Sequence, residues 1–176
     1  MKKVITLMFV AITSIYLQGC ASGATSAGMT SAKTYMTSNN PFAQQISVDA
    51  VDGGSWTNPI WVSKVGNKDM QEAVKASLKN NGLLANGNGA YILKPTIKDV
   101  DQPIFGASFT VNADVQYVLK EAASGKVVLS KTLKSSHKAT MSDSFFGVKR
   151  MRIANEGAIR NNIDLLLQQI TEPYNK

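Results

Sequence analysis

The chain has 176 residues, a formal net charge of +7 and a single cysteine. One cysteine excludes an intramolecular disulfide, and one cysteine with one histidine supplies too few soft ligands for a zinc site. The basic residues are scattered and form no aromatic-and-basic platform, which argues against a nucleic-acid-binding protein.

An export signal occupies the N-terminus. Lys2 and Lys3 precede a mainly apolar run over residues 4–16, which is too short for a permanent membrane helix of roughly 20 residues. The run closes on Leu17-Gln18-Gly19-Cys20, which resembles the lipobox of bacterial lipoproteins. That resemblance implies cleavage between Gly19 and Cys20 and attachment of diacylglycerol to the Cys20 thiol. The alternative is an ordinary cleavable signal in which the cysteine is incidental.

The resemblance to lipoproteins also implies a location. In Gram-negative lipoproteins an aspartate after the lipidated cysteine commonly favours the inner membrane, and here that residue is Ala21. We therefore expect a lipid anchor in the outer membrane, with the protein facing the periplasm. Two or more acyl chains make such anchoring stable, whereas one chain is marginal.

The composition divides the chain into three parts. Residues 1–19 are the signal peptide, residues 20–45 are the lipidated cysteine and a flexible tether, and residues 46–176 are a single α+β domain. The tether is rich in Ser, Ala, Thr, Gly and Asn, so it lacks the apolar surface that would offset its ordering entropy. A flexible coil of about 25 residues reaches on the order of 25–30 Å.

The first half of the domain predicts a strand, a helix and a second strand. Residues 46–51 alternate apolar and polar side chains, which is typical of a strand. A helix is predicted over residues 68–81, with Asn67 as its N-cap and Gly82 in a left-handed position after it. Strand character resumes over residues 90–100, where Pro95 indicates an edge position or a bulge.

The second half predicts a hairpin followed by a long helix. Residues 109–119 alternate strictly, and the turn at residues 122–125 joins them to a partner strand over residues 126–138. Apolar residues at helical spacing predict a helix over residues 148–171. The order is β-α-β-β-β-α, which indicates an α+β fold with a mostly antiparallel sheet and two helices on one face.

Several motifs of the domain resemble a family. They are Leu78-x3-Gly82-Leu83-Leu84, Tyr91-x-Leu93, Val115-x-Tyr117-x-Leu119, and a block of charged and small residues from Arg152 to Ile163. These motifs resemble small bacterial envelope lipoproteins, the YajG-type and transport-auxiliary lipoproteins among them. The resemblance implies a non-enzymatic envelope component without cofactors or metals, and it carries no catalytic or ligand residues to this chain.

Large apolar side chains stand in three predicted loops. They are Trp56, Trp61, Ile104, Phe105, Phe109, Phe145 and Phe146. Core packing is one explanation for these residues. The other is a partner-binding lip, formed by Trp56, Trp61, Phe105, Phe145 and Phe146, because exposed aromatic residues concentrate binding energy at interfaces.

Three functions remain open. The first is a structural or adaptor lipoprotein of outer-membrane assembly or transport, with an envelope protein as its partner. The second is a periplasmic lipoprotein that binds a lipid or glycan, for which an apolar cavity of several hundred Å³ would be expected. The third is a hydrolase in which His137 acts with Ser142 or Ser144 and with Asp143. No nucleophile elbow of the Gly-x-Ser-x-Gly kind is present, so we expect a protein that is not an enzyme.

Overall fold

Four strands form one sheet in the computed structural model, which describes residues 22–35, 39–55 and 63–174. The elements in chain order are α1 (Ser26–Met29), β1 (Ile46–Val48), α2 (Asn67–Asn80), β2 (Tyr91–Asp101), β3 (Phe109–Glu121), β4 (Val127–Ala139), α3 (Gly147–Thr171) and a 3-10 turn (Glu172–Tyr174). Apart from the short α1, this order confirms the predicted β-α-β-β-β-α fold. None of the helices in the described ranges combines the length and apolarity that crossing a bilayer requires.

The sheet is mixed, with the strand order β1-β2-β3-β4. β2, β3 and β4 are antiparallel neighbours, whereas β1 pairs with β2 in parallel through Ile46–Val48 only. The predicted first strand is therefore shorter than residues 46–51. A single isolated bridge between Asp52 and Thr96 continues the pairing beyond its end.

The core lies between one face of the sheet and the two long helices. Five alternate side chains of β3 are at most 1 % exposed, and they are Val111, Ala113, Val115, Tyr117 and Leu119. The α3 side chains buried in the same core include Ile159, Ile163, Leu166 and Leu167. The strict alternation of β3 therefore reflects a sheet that is covered by helices on one face only.

Tyr117 is an exception within this apolar core. Its side chain is fully buried, and among the described residues its hydroxyl has no hydrogen-bond partner. Burial raises the pKa of the phenol far above its ordinary value. An unpartnered buried hydroxyl lowers stability, because its hydrogen bonds to water are lost and not replaced.

Pro95 lies in an interior strand and not at an edge. It pairs with Tyr117 of β3, and the predicted irregularity occurs as a register shift between Ile97 and Asp99. The backbone nitrogens of Tyr91 and Ile97 donate to Gln45 and Asp52, on the β1 side. By alternation the nitrogen of Pro95 faces the same side, beyond the last residue of β1, so a missing N–H breaks no pairing there.

The ends of α2 are held by specific backbone geometry. Gly82 follows the C-cap residue Asn81 and has a φ of +63°, the left-handed conformation predicted for it. The amide nitrogens of Gly82 and Leu83 donate to the carbonyls of Lys79 and Leu78, which is the Schellman arrangement. Asn67, predicted as the N-cap, is instead the first helical residue, and its side-chain oxygen accepts a hydrogen bond from the Gly54 amide at 2.7 Å.

The N-terminal segment, residues 22–35, packs on the domain and does not form the flexible tether predicted for residues 20–45. Met29 is completely buried, while Ala24 is 2 % exposed and Ser31 is 1 % exposed. The segment contributes only a few apolar groups to the core, so its composition gave no sign of this burial. Polar groups on α2 and α3, or at their ends, form most of the hydrogen bonds that hold it.

The N-terminal segment and α3 run alongside each other. Their polar contacts include Thr25 with Glu156, Gly28 with Arg160, and Ser31 with Asp164. Glu156 accepts hydrogen bonds from the Thr25 amide at 2.9 Å and from its hydroxyl at 2.8 Å. The charged residues of the family-like block therefore hold the N-terminal segment, in addition to pairing with one another along the helix.

Candidate functional site

Two loops meet at one end of the sheet. β3 begins where β4 ends, since Phe109 pairs with Ala139, so the loops 102–108 and 140–146 lie at the same end, beside the start of α3. Four large apolar side chains on these loops are at least 75 % exposed to solvent, and they are Ile104 (83 %), Phe105 (88 %), Phe145 (78 %) and Phe146 (75 %). We refer to these four residues as the apolar patch.

Arg150 ties the two loops together. Its guanidinium donates hydrogen bonds to the carbonyls of Ser144 at 2.8 Å and Phe145 at 3.2 Å, both in the second loop. It also donates to the carbonyl of Gly106 at 3.2 Å, in the first loop. One side chain therefore fixes the backbone beneath both halves of the apolar patch.

Arg150 is itself buried, with 5 % of its surface exposed. Its guanidinium carbon lies 4.8 Å from the centre of the Phe109 ring, which places the cation against the ring face. The charge is compensated by carbonyl dipoles and an aromatic face, and among the described residues no carboxylate pairs with it. Its Nε is buried without a hydrogen-bond partner.

Sequence reasoning missed Arg150, although a signal for it exists. Ala154 and Ala158 follow at spacings of four and eight, and both are completely buried. Arg150 therefore continues the buried face of α3, where an arginine needs several hydrogen bonds to offset its desolvation. A basic residue in phase with buried alanines is the pattern that would have indicated a structural role.

A cavity of about 710 Å³ opens beside the apolar patch. Its apolar lining comes from Ile104, Phe105, Phe109, Val148 and Met151, and its polar lining includes Lys64, Asp99 and Asp101. The cavity lies between the first loop and the start of α3. It has the size expected of a small-molecule site, and its lining combines apolar walls with a few charged groups.

The structure describes three of the five residues of the predicted lip. Phe105, Phe145 and Phe146 are exposed at one end of the sheet, and the rings of the last two stand edge to face with centroids 6.3 Å apart. Phe109 is 7 % exposed and belongs to the core. The remaining predicted residues, Trp56 and Trp61 of the lip together with Gly19 and Cys20 of the signal, lie outside the described residues.

His137 packs against α3 and does not assemble a catalytic triad in the described part of the chain. A Cβ placed on Gly157 would lie 2.2 Å from the ring of His137, so the imidazole rests directly on the helix backbone. Burial, and next the positive charge of Arg160, lower the pKa of His137, while Asp143 opposes this shift. His137 is thus a residue that packs on α3.

The side chains proposed to act with His137 are engaged in their own turn. The carboxylate of Asp143 accepts hydrogen bonds from the Thr140 amide at 2.7 Å and from its hydroxyl at 2.8 Å. These bonds lower the pKa of Asp143. Ser142 lies 2.6 Å from the same Thr140 hydroxyl, while Ser144 is buried and donates to the Phe146 carbonyl at 3.3 Å. In the described residues no hydrogen bond joins His137 to Ser142, Ser144 or Asp143.

No group of three or more potential metal ligands occurs among residues 22–35, 39–55 and 63–174. Asp99 and Asp101, the acidic residues that line the cavity, lie on β2, and Asp101 accepts a hydrogen bond from Asn112 at 3.3 Å. The arrangement at this end of the sheet is therefore one of contact surfaces: an exposed apolar patch, the cavity beside it, and a buried arginine that fixes both loops.

Known structures share this architecture. A candidate lipoprotein from Caulobacter crescentus CB15 superposes with a TM-score of 0.55 at 14% identity, covering 76% of this chain and 92% of its own. Protein XCC0632 from Xanthomonas campestris, of family DUF330, gives 0.55 at 14% identity, covering 80% and 95%. PelC from Paraburkholderia phytofirmans, solved as a dodecamer, gives 0.50 at 15% identity, covering 74% and 88%.

This chain has their fold. At these identities the likeness extends to the fold alone. No protein-family model matches the sequence, and no curated protein is similar enough to count as a relative.

Proposed function

We propose that the protein is a lipid-anchored, non-enzymatic component of the bacterial envelope, and that it serves as a structural or adaptor part of outer-membrane assembly or transport. The lipobox-like sequence ending at Cys20 supports the anchor, and Ala21 after it supports the outer membrane as its location. The fold shared with a candidate lipoprotein supports the same class of protein.

The observation that carries this proposal is the apolar patch. Four large apolar side chains are at least 75 % exposed, and Arg150 holds the loops beneath them in place. Exposed apolar surface of this kind marks contact sites with proteins or membranes. Either kind of contact fits a component of the envelope, whereas a hydrolase requires a nucleophile, a base and an orienting group in hydrogen-bond reach of one another.

The proposal is tested by purifying the lipidated protein from native membranes in mild detergent and analysing both proteins and lipids. The control is the anchor alone, made by fusing residues 1–21 to an unrelated soluble domain. We expect a stoichiometric envelope protein with the full chain and not with the control. If the full chain and the control retain the same proteins, the adaptor role is contradicted.

A second candidate function is the binding of a lipid or glycan. The cavity of about 710 Å³ beside the apolar patch favours it, since its walls are largely apolar and a few charged groups line its edge. The same purification separates the two functions. A single lipid or glycan that accompanies the full chain without a protein partner, and does not accompany the anchor control, supports the binding function and contradicts the adaptor.

A further inference from the structure

The direction of the N-terminal segment determines where the chain leaves the domain. Its successive contacts advance along α3 toward the C-terminal end, so going back along the chain leads to the start of the helix. The first described residue, Ser22, contacts Arg152, which is the sixth residue of α3. The chain therefore emerges near the start of α3.

The start of α3 is also where the apolar patch lies. Phe145 and Phe146 come directly before the helix, and Ile104 and Phe105 are in the neighbouring loop that Arg150 ties to it. A second contact places the N-terminal segment at this end, because the Ala24 amide donates to the Lys64 carbonyl at 3.0 Å. Lys64 lines the same cavity as Ile104 and Phe105.

The distance from the domain to a lipid on Cys20 is short. Cys20 precedes Ser22 by two residues in the sequence, and two residues of chain span at most about 7 Å. The flexible coil that would have lifted the domain by on the order of 25–30 Å is replaced by a segment fixed to α3. A lipid on Cys20 therefore draws this end of the domain, and not another, to the membrane surface.

We propose that the apolar patch inserts into the bilayer interface beside the lipid on Cys20, so that the protein is held to the membrane at two points. This inference rests on the proposed lipidation and names the surface that the patch contacts. The free energy falls when phenylalanine and isoleucine side chains leave water for the interface, so insertion is favourable. A protein held by one lipid alone would be free to rotate about that lipid. Insertion fixes its orientation.

The orientation leaves the far end of the sheet away from the bilayer. β3 has 13 residues. At a rise of about 3.3 Å per residue, the turn that joins β3 to β4 lies about 40 Å from the patch. The face of the sheet that no helix covers then extends from the membrane surface to that turn. A protein partner could bind there.

The inference is tested with fluorescent labels on single cysteines in the lipidated protein. The lone Cys20 carries lipid, so a thiol introduced elsewhere reacts selectively with an NBD maleimide. Labels are placed by Phe105→Cys and Phe145→Cys in the patch, and by Ala123→Cys in the exposed β3–β4 turn as the matched control. The protein is reconstituted in vesicles of phosphatidylethanolamine and phosphatidylglycerol, with and without doxyl-labelled lipid.

We expect the doxyl lipid to quench most of the fluorescence at positions 105 and 145 and almost none at position 123. Equal quenching at all three positions would overturn the inference. So would patch labels that become shielded only after an envelope protein is added, because the patch would then bind that protein and not lipid. Mass spectrometry of the N-terminal peptide separates the two proposals: an unmodified Cys20 contradicts the anchor itself, whereas an acylated Cys20 with unquenched labels contradicts only the insertion.

Discussion

Replacing Arg150 by methionine should loosen the two loops that carry the apolar patch. Methionine keeps much of the aliphatic volume of the side chain but removes the guanidinium, and with it the hydrogen bonds to Ser144, Phe145 and Gly106. It also removes the contact between the cation and the Phe109 ring. The first loop would keep the hydrogen bonds that Gln102 donates to Ser63 and Asn155, but the link between the two loops would be lost.

The expected loss of stability follows from these contacts. Hydrogen bonds to a charged group contribute about 1.5–3 kcal/mol each, but the loop carbonyls regain water when the guanidinium is gone. Burial of a cation also carries its own desolvation cost, so we expect a net loss of about 2–4 kcal/mol. For a chain of this size 1 kcal/mol corresponds to about 2–4 °C, so the melting temperature should fall by about 10 °C.

Calorimetry measures this change, and hydrogen exchange locates it. Faster exchange is expected in residues 103–108 and 141–146, with little change in β3. Lys149→Met is the control, because it removes a neighbouring exposed charge from the same helix. If Arg150→Met and Lys149→Met have the same melting temperature and the same exchange in both loops, the reasoning about Arg150 is refuted.

Three further predictions concern other parts of the domain. Glu156→Ala should speed hydrogen exchange in residues 22–35 severalfold, because it removes two charge-assisted hydrogen bonds to Thr25. The control Glu72→Ala, which removes an exposed carboxylate from α2, should leave that exchange unchanged. Unchanged exchange in Glu156→Ala would contradict the role of Glu156. Tyr117→Phe should raise the free energy of unfolding by about 1 kcal/mol in urea titrations, since a buried hydroxyl without a partner is removed; a loss of stability would indicate a partner. Because the pKa of His137 is lowered in the folded protein, the unfolded chain binds more protons at this site than the folded chain does. The contribution of His137 to stability is therefore present above the unfolded pKa of about 6.5 and is lost as the pH falls below it. Thermal melts from pH 7 to pH 5 should show a smaller loss for His137→Gln than for the wild type, and equal losses would contradict the assignment.

The hairpin and the long helix could be predicted from sequence because local pattern determines them. One face of β3 is buried and the other is not, so apolar and polar residues alternate over its length. α3 begins at Gly147, one residue before the predicted start, and ends at Thr171 as predicted. The parallel pairing of β1 could not be read in the same way, since it depends on how the intervening chain returns to the sheet.

The packing of the N-terminal segment could not be predicted for a different reason. The segment is held by polar groups from distant parts of the chain, such as Glu156 for Thr25 and Ser77 for the Ser31 amide. Its own residues are small and polar, and such a composition also describes a solvated coil. Composition reports the apolar surface that a segment can bury, and it does not report hydrogen bonds offered by other elements.

The most direct test of the account is the mass of the N-terminal peptide of the protein purified from bacterial membranes. We expect a peptide that begins at Cys20 and carries the added mass of a diacylglycerol, together with an acyl group on the amine. A peptide that begins at Met1, or one that is cleaved near Cys20 but bears no lipid, would contradict the anchor on which the proposed function rests.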